Sequence, residues 1–328
     1  MSARIVCIAG LPGFLTLCGC LVASNKPAAS EEERKAEAAA AAKAVYKEES
    51  PIRLTGAQAI RHLTAIAVDA DDRLLACDAQ RTRVHVIRDG QAETTWELDF
   101  RPEAIAVGPA GAVYVAGERT LARLARDGKV DRGTELQGKG VAALAASDKD
   151  VFVVLRGDTG FTIVRYTVEL ADPQIIVKGV RGCCGTLDIA AHGDKLLVAE
   201  NTRHRVGLYD RDGKLVGKFG SEGTKDVAAF GGCCNPMNVC VGPNGDVFTA
   251  ESGPDRVKRY KPDGEYVELV GWFRGGKTCQ CVDIATARDA RTVYVADTSN
   301  QSIRVLKRSE PPTSAPAKEP PVARGAQP

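Results

Sequence analysis

Three short segments whose other residues are similar to one another each carry a pair of closely spaced cysteines in their first half or near their middle. The segments are RGCCGTLDIA (181–190), GGCCNPMNVC (231–240) and GKTCQCVDIA (276–285). Thiolates bind soft metal ions and iron–sulfur clusters, and pairs of thiols form disulfides. The candidates for one redox-active or metal-binding site are therefore Cys183, Cys184, Cys233, Cys234, Cys279 and Cys281.

These segments are parts of a longer internal repeat. Six stretches of the chain align on the apolar residues Ile66, Ile105, Leu144, Ile189, Val239 and Ile284. Consecutive members of this set are 39, 39, 45, 50 and 45 positions apart. Each unit has the pattern of four short strands with Gly- and Asp-containing turns, and one such sheet cannot bury both of its faces alone. The repeat predicts an all-β fold, a six-bladed β-propeller with one blade per unit.

The repeat resembles the NHL-repeat family of β-propellers. The similarity is carried by GPNGDVFTAESGPDRVKRYKPDGEYV (242–267) and TVYVADTSNQSIRV (292–305), and it extends over residues 51–308. The resemblance implies an NHL-like ring of six blades. The last unit lacks an outer strand, so we expect PIRLT (51–55) to close the ring by pairing with SIRVLKR (302–308).

The propeller geometry predicts that the cysteine segments converge. Cys184, Cys234 and Cys279 each lie five residues before the aligned apolar residue of their unit. Their turns lead into the innermost strand of each blade, at the end of the ring that we call the top face. Equivalent positions on neighbouring blades approach the same axis. We therefore expect the six thiols to form one patch at the axial mouth of the propeller.

Several chemistries fit such a patch. An oxidising compartment favours disulfides, either between blades or between adjacent cysteines, and in that case the site holds no cofactor. Thiolates from three blades alternatively bind a soft metal ion or an iron–sulfur cluster. The spacings match no standard zinc-ribbon or ferredoxin sequence, and the chain contains no Cys-x-x-Cys-His sequence for c-type haem.

Two further cysteines fit the repeat as ordinary core residues. Cys240 takes the position of Ala67, Ala106, Ala190 and Ala285 in other units, and Cys77 takes the position of Ala199, Ala250 and Ala296. A free cysteine in such a position behaves as a small apolar side chain. We expect both to be buried and to play no part in the patch.

Polar residues near the axis form a second candidate site. Asp188, Asn238 and Asp283 each lie one residue before the aligned apolar position, and His62 lies near the start of an inner strand. These four side chains are candidates for axial binding of a ligand or a cation. Aspartate and asparagine at such positions also stabilise turns by bonding to their own backbone.

An acid–arginine series crosses the loop between the second and third strands of several units. The pairs are five residues apart, and they are Asp78/Arg83, Glu200/Arg205 and Glu251/Arg256. We expect each pair to be an ion pair within its blade that fixes the shape of the loop.

The two ends of the chain have different compositions from the repeat. Residues 1–19 form a short apolar segment of signal-peptide type, and LCGC resembles a bacterial lipobox that implies cleavage before Cys20 and lipidation of Cys20. The composition of residues 20–50 predicts a lipid-attachment point followed by an Ala/Glu/Lys-rich helical spacer. Residues 309–328 are rich in proline, and we expect them to form a disordered tail. These features predict an extracytoplasmic domain anchored to a bacterial membrane of the cell envelope.

Composition limits the classes of function. The formal charge is +2, with both signs interspersed, so nothing favours a nucleic-acid partner. The chain has four histidines, few for a propeller lyase or lactonase that holds a metal near its axis. We therefore favour a binding module whose top face receives a protein or a small molecule. A metal-dependent lyase or lactonase and a disulfide-stabilised scaffold are the alternatives.

Overall fold

The computed structural model describes residue 39 and residues 44–253, 255–273 and 282–309. The predicted signal peptide, Cys20 and nearly all of the Pro-rich tail lie outside these residues. So do Cys279 and Cys281. No helix within the described ranges has the length and apolar character needed to span a membrane.

The described residues form six four-stranded antiparallel sheets arranged as the blades of a propeller, so the predicted fold is confirmed. The N-terminal strand and the strands of blades 1 to 3 are β1 (Tyr46–Glu48), β2 (Leu63–Val68), β3 (Leu74–Asp78), β4 (Arg83–Arg88), β5 (Gln91–Glu97), β6 (Ala104–Val107), β7 (Val113–Gly117), β8 (Thr120–Leu124), β9 (Val130–Glu135), β10 (Val141–Ala146), β11 (Asp150–Arg156), β12 (Phe161–Thr167) and β13 (Gln174–Val180). The strands of blades 4 to 6 are β14 (Asp188–His192), β15 (Lys195–Glu200), β16 (Arg205–Asp210), β17 (Leu215–Phe219), β18 (Asn238–Val241), β19 (Val247–Glu251), β20 (Arg256–Tyr260), β21 (Tyr266–Trp272), β22 (Ile284–Thr286), β23 (Thr292–Asp297) and β24 (Ser302–Arg308). Two short 3₁₀ helices, Gly56–Gln58 and Asn201–Arg203, lie between strands.

Within blades 1 to 5 the strands lie in chain order from the axis outwards, and in blade 6 the N-terminal strand β1 is outermost. The first strand of every blade is innermost, and the inner strands of neighbouring blades contact one another around a closed ring. Turns with glycine in the left-handed region reverse the chain. At Gly213 the φ angle is +87°, and a Cβ atom there would approach the backbone oxygen of Ile176 to 2.1 Å. Such a turn requires glycine.

The apolar core lies between the faces of adjacent blades and not at the axis. Between blades 3 and 4, Phe152 and Val154 pack with Leu196 and Val198, all of them buried. Because strand side chains alternate between two faces, and each face meets a neighbouring blade, the strands are almost continuously apolar. This arrangement gives six similar wedges of core and leaves the loops at the ends of the ring to carry polar chemistry.

The N-terminal segment closes the ring, but with a different strand from the one predicted. Tyr46–Glu48 pairs with β24, with Tyr46 opposite Arg308, whereas within 51–55 only Ile52 makes a bridge, to Ile303. Tyr46 decides the register, because its side chain is only 3% exposed and packs among the core residues of blades 5 and 6. The end of the predicted spacer is therefore part of the folded domain.

Candidate functional site

Four of the six predicted thiols form a cluster between blades 4 and 5. Cys183 and Cys184 precede β14, and Cys233 and Cys234 precede β18. The Sγ atom of Cys234 lies 2.8 Å from that of Cys183, 3.4 Å from that of Cys184 and 3.0 Å from that of Cys233. The Cys183 and Cys184 sulfurs are 3.6 Å apart. The repeat therefore places the cysteines of two neighbouring blades together, as the alignment predicted.

These separations are all longer than the sulfur–sulfur bond of a disulfide, which is about 2.05 Å. The four thiols differ in accessibility, because Cys234 is 2% exposed, Cys183 and Cys184 are partly buried, and Cys233 is exposed. Among residues 44–253, 255–273 and 282–309, one group of at least three His, Cys, Asp or Glu side chains has its ligating atoms all within 4.8 Å of one another. It consists of Cys183, Cys184 and Cys234.

A tight turn presents the blade-4 thiols. The N–H of Thr186 donates to the carbonyl oxygen of Cys183 at 3.1 Å, and Cys184 and Gly185 between them have φ angles of +56° and +69°. Positive φ at both central residues is the geometry of a type I′ turn. Asn201 lies beneath the turn, fully buried. It accepts from the N–H of Cys183 at 2.8 Å and donates to the carbonyl oxygen of Thr186 at 3.2 Å.

The loop before β18 presents the blade-5 thiols, and Asn235 supports it in a similar way. This side chain is fully buried, donates to the carbonyl oxygens of Gly231 and Ser252, and accepts from the N–H of Ser252 at 2.9 Å. From blade 4, the Nε2–H of His204 donates to the carbonyl oxygen of Gly232 at 2.9 Å. Hydrogen bonds from both blades therefore fix the backbone around Cys233 and Cys234.

A buried charge cluster supports the same loop from the strands of blade 5. It consists of Glu251, Arg256 and Lys258, whose side chains are 0%, 6% and 0% exposed. Arg256 Nε lies 2.7 Å and Lys258 Nζ 2.9 Å from Glu251 Oε1. Burial lowers the pKa of Lys258 to about 8, against the opposing attraction of Glu251. The three side chains contact the backbone of residues 228–231, immediately before the cysteines.

The acid–arginine series predicts the ion pairs of blades 4 and 5 but not that of blade 1. Arg205 lies 2.8 Å from Glu200, and Arg256 pairs with Glu251 as described above. In blade 1, Arg83 pairs with Glu97 at 3.7 Å, and Asp78 lies 3.6 Å from the buried His85.

The acidic residue also meets a side chain seven positions later on the third strand. This is His85 in blade 1, Lys258 in blade 5 and Arg304 in blade 6, where Arg304 lies 2.8 Å from Asp297. Positions five and seven after the acid lie on the same face of the third strand, because strand side chains alternate. The sequence contained this signal, and the five-residue rule alone missed it.

Three of the axial candidates accept hydrogen bonds from the backbone of the next blade. Asp188 accepts from the N–H of Val239 at 2.8 Å, Asn238 from that of Ile284 at 3.0 Å, and Asp283 from that of Ile66 at 2.8 Å. Each side chain thus ties one inner strand to its neighbour.

Burial raises the pKa of both axial carboxyl groups. It raises the pKa of Asp188 well above the ordinary value for aspartate, with repulsion from Asp283 as a second cause. It raises the pKa of Asp283 to about 6, although three hydrogen bonds to the carboxylate oppose this shift. The backbone N–H of His62 donates to Asp78 at 2.9 Å, so this candidate belongs to the loop of blade 1.

The remaining two described cysteines lie outside the thiol cluster. Cys77 is fully buried in the core between blades 1 and 2, as predicted. Cys240 is only partly buried, and it packs at the edge of the core between blades 5 and 6. Burial raises the pKa of both thiols, and the negative charge of Asp283 adds to the effect. Neither thiol is therefore suited to react as a thiolate at neutral pH.

Comparisons with solved structures support the fold. The virginiamycin B lyase of Staphylococcus aureus has a TM-score of 0.52 and 17% identity over 77% of this chain and 82% of its own. A gluconolactonase of Xanthomonas campestris has a TM-score of 0.53 and 14% identity over 81% and 97%. The calcium-binding protein regucalcin of Agrobacterium tumefaciens has a TM-score of 0.53 and 13% identity over 81% and 93%.

The chain thus shares a β-propeller fold with these proteins, and its own ring has six blades. Identities this low show a shared fold and carry no activity from one protein to another. No protein-family model matches the chain, and no curated protein matches it significantly in sequence. What the site does must therefore be argued from its own side chains.

Proposed function

We propose that the protein is a β-propeller binding module that holds a thiophilic metal ion in a thiolate site between blades 4 and 5. The convergence of the Sγ atoms of Cys183, Cys184 and Cys234 supports this proposal. A metal ion gives every thiol in the group the same role, and it accounts for contributions from two separate loops.

The distances agree with ligands that share one ion. Zinc–sulfur bonds are about 2.3 Å long, so two thiolates on one tetrahedral zinc ion lie about 3.8 Å apart. The Cys183–Cys184 and Cys184–Cys234 separations of 3.6 and 3.4 Å are close to this value. The Cys183–Cys234 separation of 2.8 Å lengthens when an ion lies between the two sulfurs. A four-iron cluster binds each thiolate through a different iron, which places the sulfurs farther apart.

Soft thiolate sites select zinc, copper(I) and iron over magnesium and calcium. Binding displaces the thiol protons, and the ion then ties the turn of blade 4 to the loop of blade 5. Cys233 lies beside Cys234 and is the fourth ligand available among the described thiols. Cys279 and Cys281 lie outside the described residues, and the repeat alignment assigns them to the same mouth.

Metal analysis of the full chain purified without oxygen tests the proposal. We expect about one equivalent of zinc, copper or iron per chain, and loss of the metal in Cys183→Ser and in Cys234→Ser. Cys77→Ala and Cys240→Ala are matched controls, because these thiols lie elsewhere, and they should retain it. A metal-free wild-type protein whose mass is two units low for each disulfide would show that the cysteines form disulfides instead.

We also propose, from the N-terminal sequence, that the propeller works outside the cytoplasm on a lipid anchor at Cys20. The LCGC sequence supports this part of the proposal. Fractionation of cells expressing the wild type and Cys20→Ser tests it. The wild type should require detergent for extraction, whereas the variant should not.

A further inference from the structure

We propose that Lys258, together with Glu251 and Arg256, is the positioning group that holds the blade-5 cysteine loop in its metal-binding shape. This inference rests on the proposed metal site. Lys258 contacts neither thiol of the loop in the interactions described above. It acts on the backbone that carries them.

The charge cluster makes hydrogen bonds to the backbone of three closely spaced residues of the loop. Lys258 Nζ donates to the carbonyl oxygens of Ala228 at 3.1 Å and Ala229 at 2.8 Å. Arg256 also donates to Ala229 at 2.8 Å, and Glu251 accepts from the N–H of Gly231 at 3.0 Å. Cys233 follows Gly231 by two residues, so these bonds fix the backbone up to the cysteine pair.

The side chain of the loop residue Phe230 completes the contact. Its ring is fully buried, and Lys258 Nζ lies 4.1 Å from the ring centroid. The hydroxyl of Tyr260 donates to the carbonyl oxygen of Ala228 at 3.0 Å. Beyond this point Asn235 holds the loop on the far side of the cysteines. Cys233 and Cys234 therefore lie between two anchored points.

The blade fold does not require a lysine at this position. The aligned residue is His85 in blade 1, Gly207 in blade 4 and Arg304 in blade 6. A fully buried ammonium group carries a large desolvation cost, which good contacts only offset. Replacement of a whole buried ion pair by apolar side chains is often neutral for stability, whereas removal of one charge is destabilising when its partner is left unpaired. In Lys258→Met, Glu251 keeps Arg256 as its partner. The hydrogen bonds from Lys258 to the carbonyl oxygens of Ala228 and Ala229 explain why a lysine occupies this position.

Cobalt(II) binding to the full chain, compared in the wild type and Lys258→Met, tests the proposal. Methionine keeps most of the side-chain volume and removes the donors. We expect Lys258→Met to weaken cobalt binding by about tenfold or more, the effect typical of residues that orient metal ligands. The sulfur-to-cobalt absorption bands should shift, and iodoacetamide should alkylate Cys233 faster. His85→Met, the aligned substitution in a blade without the cysteine loop, should leave all three observations unchanged.

Tyr260→Phe is a milder variant that removes one hydroxyl contact to the loop, and it should shift the same observations by a smaller amount. The proposal is overturned if Lys258→Met matches the wild type in cobalt affinity, absorption and alkylation. A wild-type protein that takes up no cobalt would instead refute the proposed metal site. The alkylation rates then still decide whether Lys258 positions the loop.

Discussion

The cysteine loops of blades 4 and 5 occupy equivalent positions in the repeat but are supported differently. In blade 4 the turn is short, and its support is the buried amide of Asn201. In blade 5 the loop is longer and rests on the buried charges of Glu251 and Lys258. Glu200 of blade 4 bonds instead to Tyr209, Arg203 and Arg205. The same acid position thus fixes a strand connection in one blade and the cysteine loop in the next.

This difference in support shows how one blade of a repeat can differ from the next at its loops. The blade frame supplies the direction of the inner strand and brings equivalent positions of neighbouring blades together. Insertions before that strand add the chemical groups, and each insertion needs its own buried polar support because its backbone groups leave the sheet. Blade 5 carries the longer insertion and the larger buried network.

The largest expected effect distinguishes the two acids. Glu251→Gln leaves Arg256 and Lys258 buried without their carboxylate, so we expect a loss of about 3–5 kcal/mol in the free energy of unfolding. Glu200→Gln should cost less, about 1–2 kcal/mol, because its partners Arg203 and Arg205 are 61% and 16% exposed, whereas Arg256 and Lys258 are 6% and 0% exposed. Denaturant unfolding of both variants measures the difference. Equal losses would mean that the two acids do the same work, and the contrast between the blades would fail.

A smaller effect is expected at the two supporting amides. Asn235→Ala and Asn201→Ala each leave buried backbone groups without partners, at a cost of about 1–3 kcal/mol. Each variant should increase alkylation only in its own loop, at Cys233 for the first and at Cys183 for the second. Peptide mapping by mass spectrometry reads both rates. Faster alkylation of both loops in either variant would contradict independent support.

The smallest expected effect concerns the inner strands, where blade 4 has Asp188 and blade 5 has Asn238. The folded-state pKa of Asp188 is raised, so the folded chain retains a proton that the unfolded chain releases. The stability from this proton is present below about pH 4 and is lost as the pH rises through the folded pKa. Asp188→Asn keeps the acceptor for Val239 and removes the titration.

We therefore expect Asp188→Asn to be about 1 kcal/mol more stable than the wild type at pH 7, the size of a modest buried substitution. The advantage should shrink as the pH falls towards 4. Unfolding curves of both proteins at several pH values measure it, and an advantage that does not depend on pH would show that Asp188 carries no such linkage.

The sequence predicted the fold and the proximity of the cysteines of blades 4 and 5, because both follow from the repeat. Six aligned units determine six blades, and a common offset from Val239 and Ile189 brings the thiols of blades 4 and 5 together. The supporting residues did not follow from the alignment. Asn201 and Asn235 act through hydrogen bonds to the backbone of their loops, and the alignment of the strands contains no information on those bonds.

The closing strand was missed for a different reason. The Ala/Glu/Lys-rich composition before residue 50 indicates a solvated helix, and only Tyr46 marks the strand within it. A single buried aromatic side chain decided the register. Local composition contains no information on a partner that lies at the other end of the chain.

This closure determines the order in which the molecule is completed. A chain that is synthesised from its N-terminus makes Tyr46–Glu48 first, and its partner strand Ser302–Arg308 is nearly the last part of the described domain to appear. Contacts between segments so far apart form late, because the entropy of closing the loop must be offset before they contribute. Blades 1 to 5 consist of consecutive strands and can assemble as they emerge, whereas blade 6 stays a three-stranded sheet with an open edge until both ends meet. The last blade is therefore the one whose strand edge stays open longest during synthesis, and an open edge is where a strand of a neighbouring chain can pair.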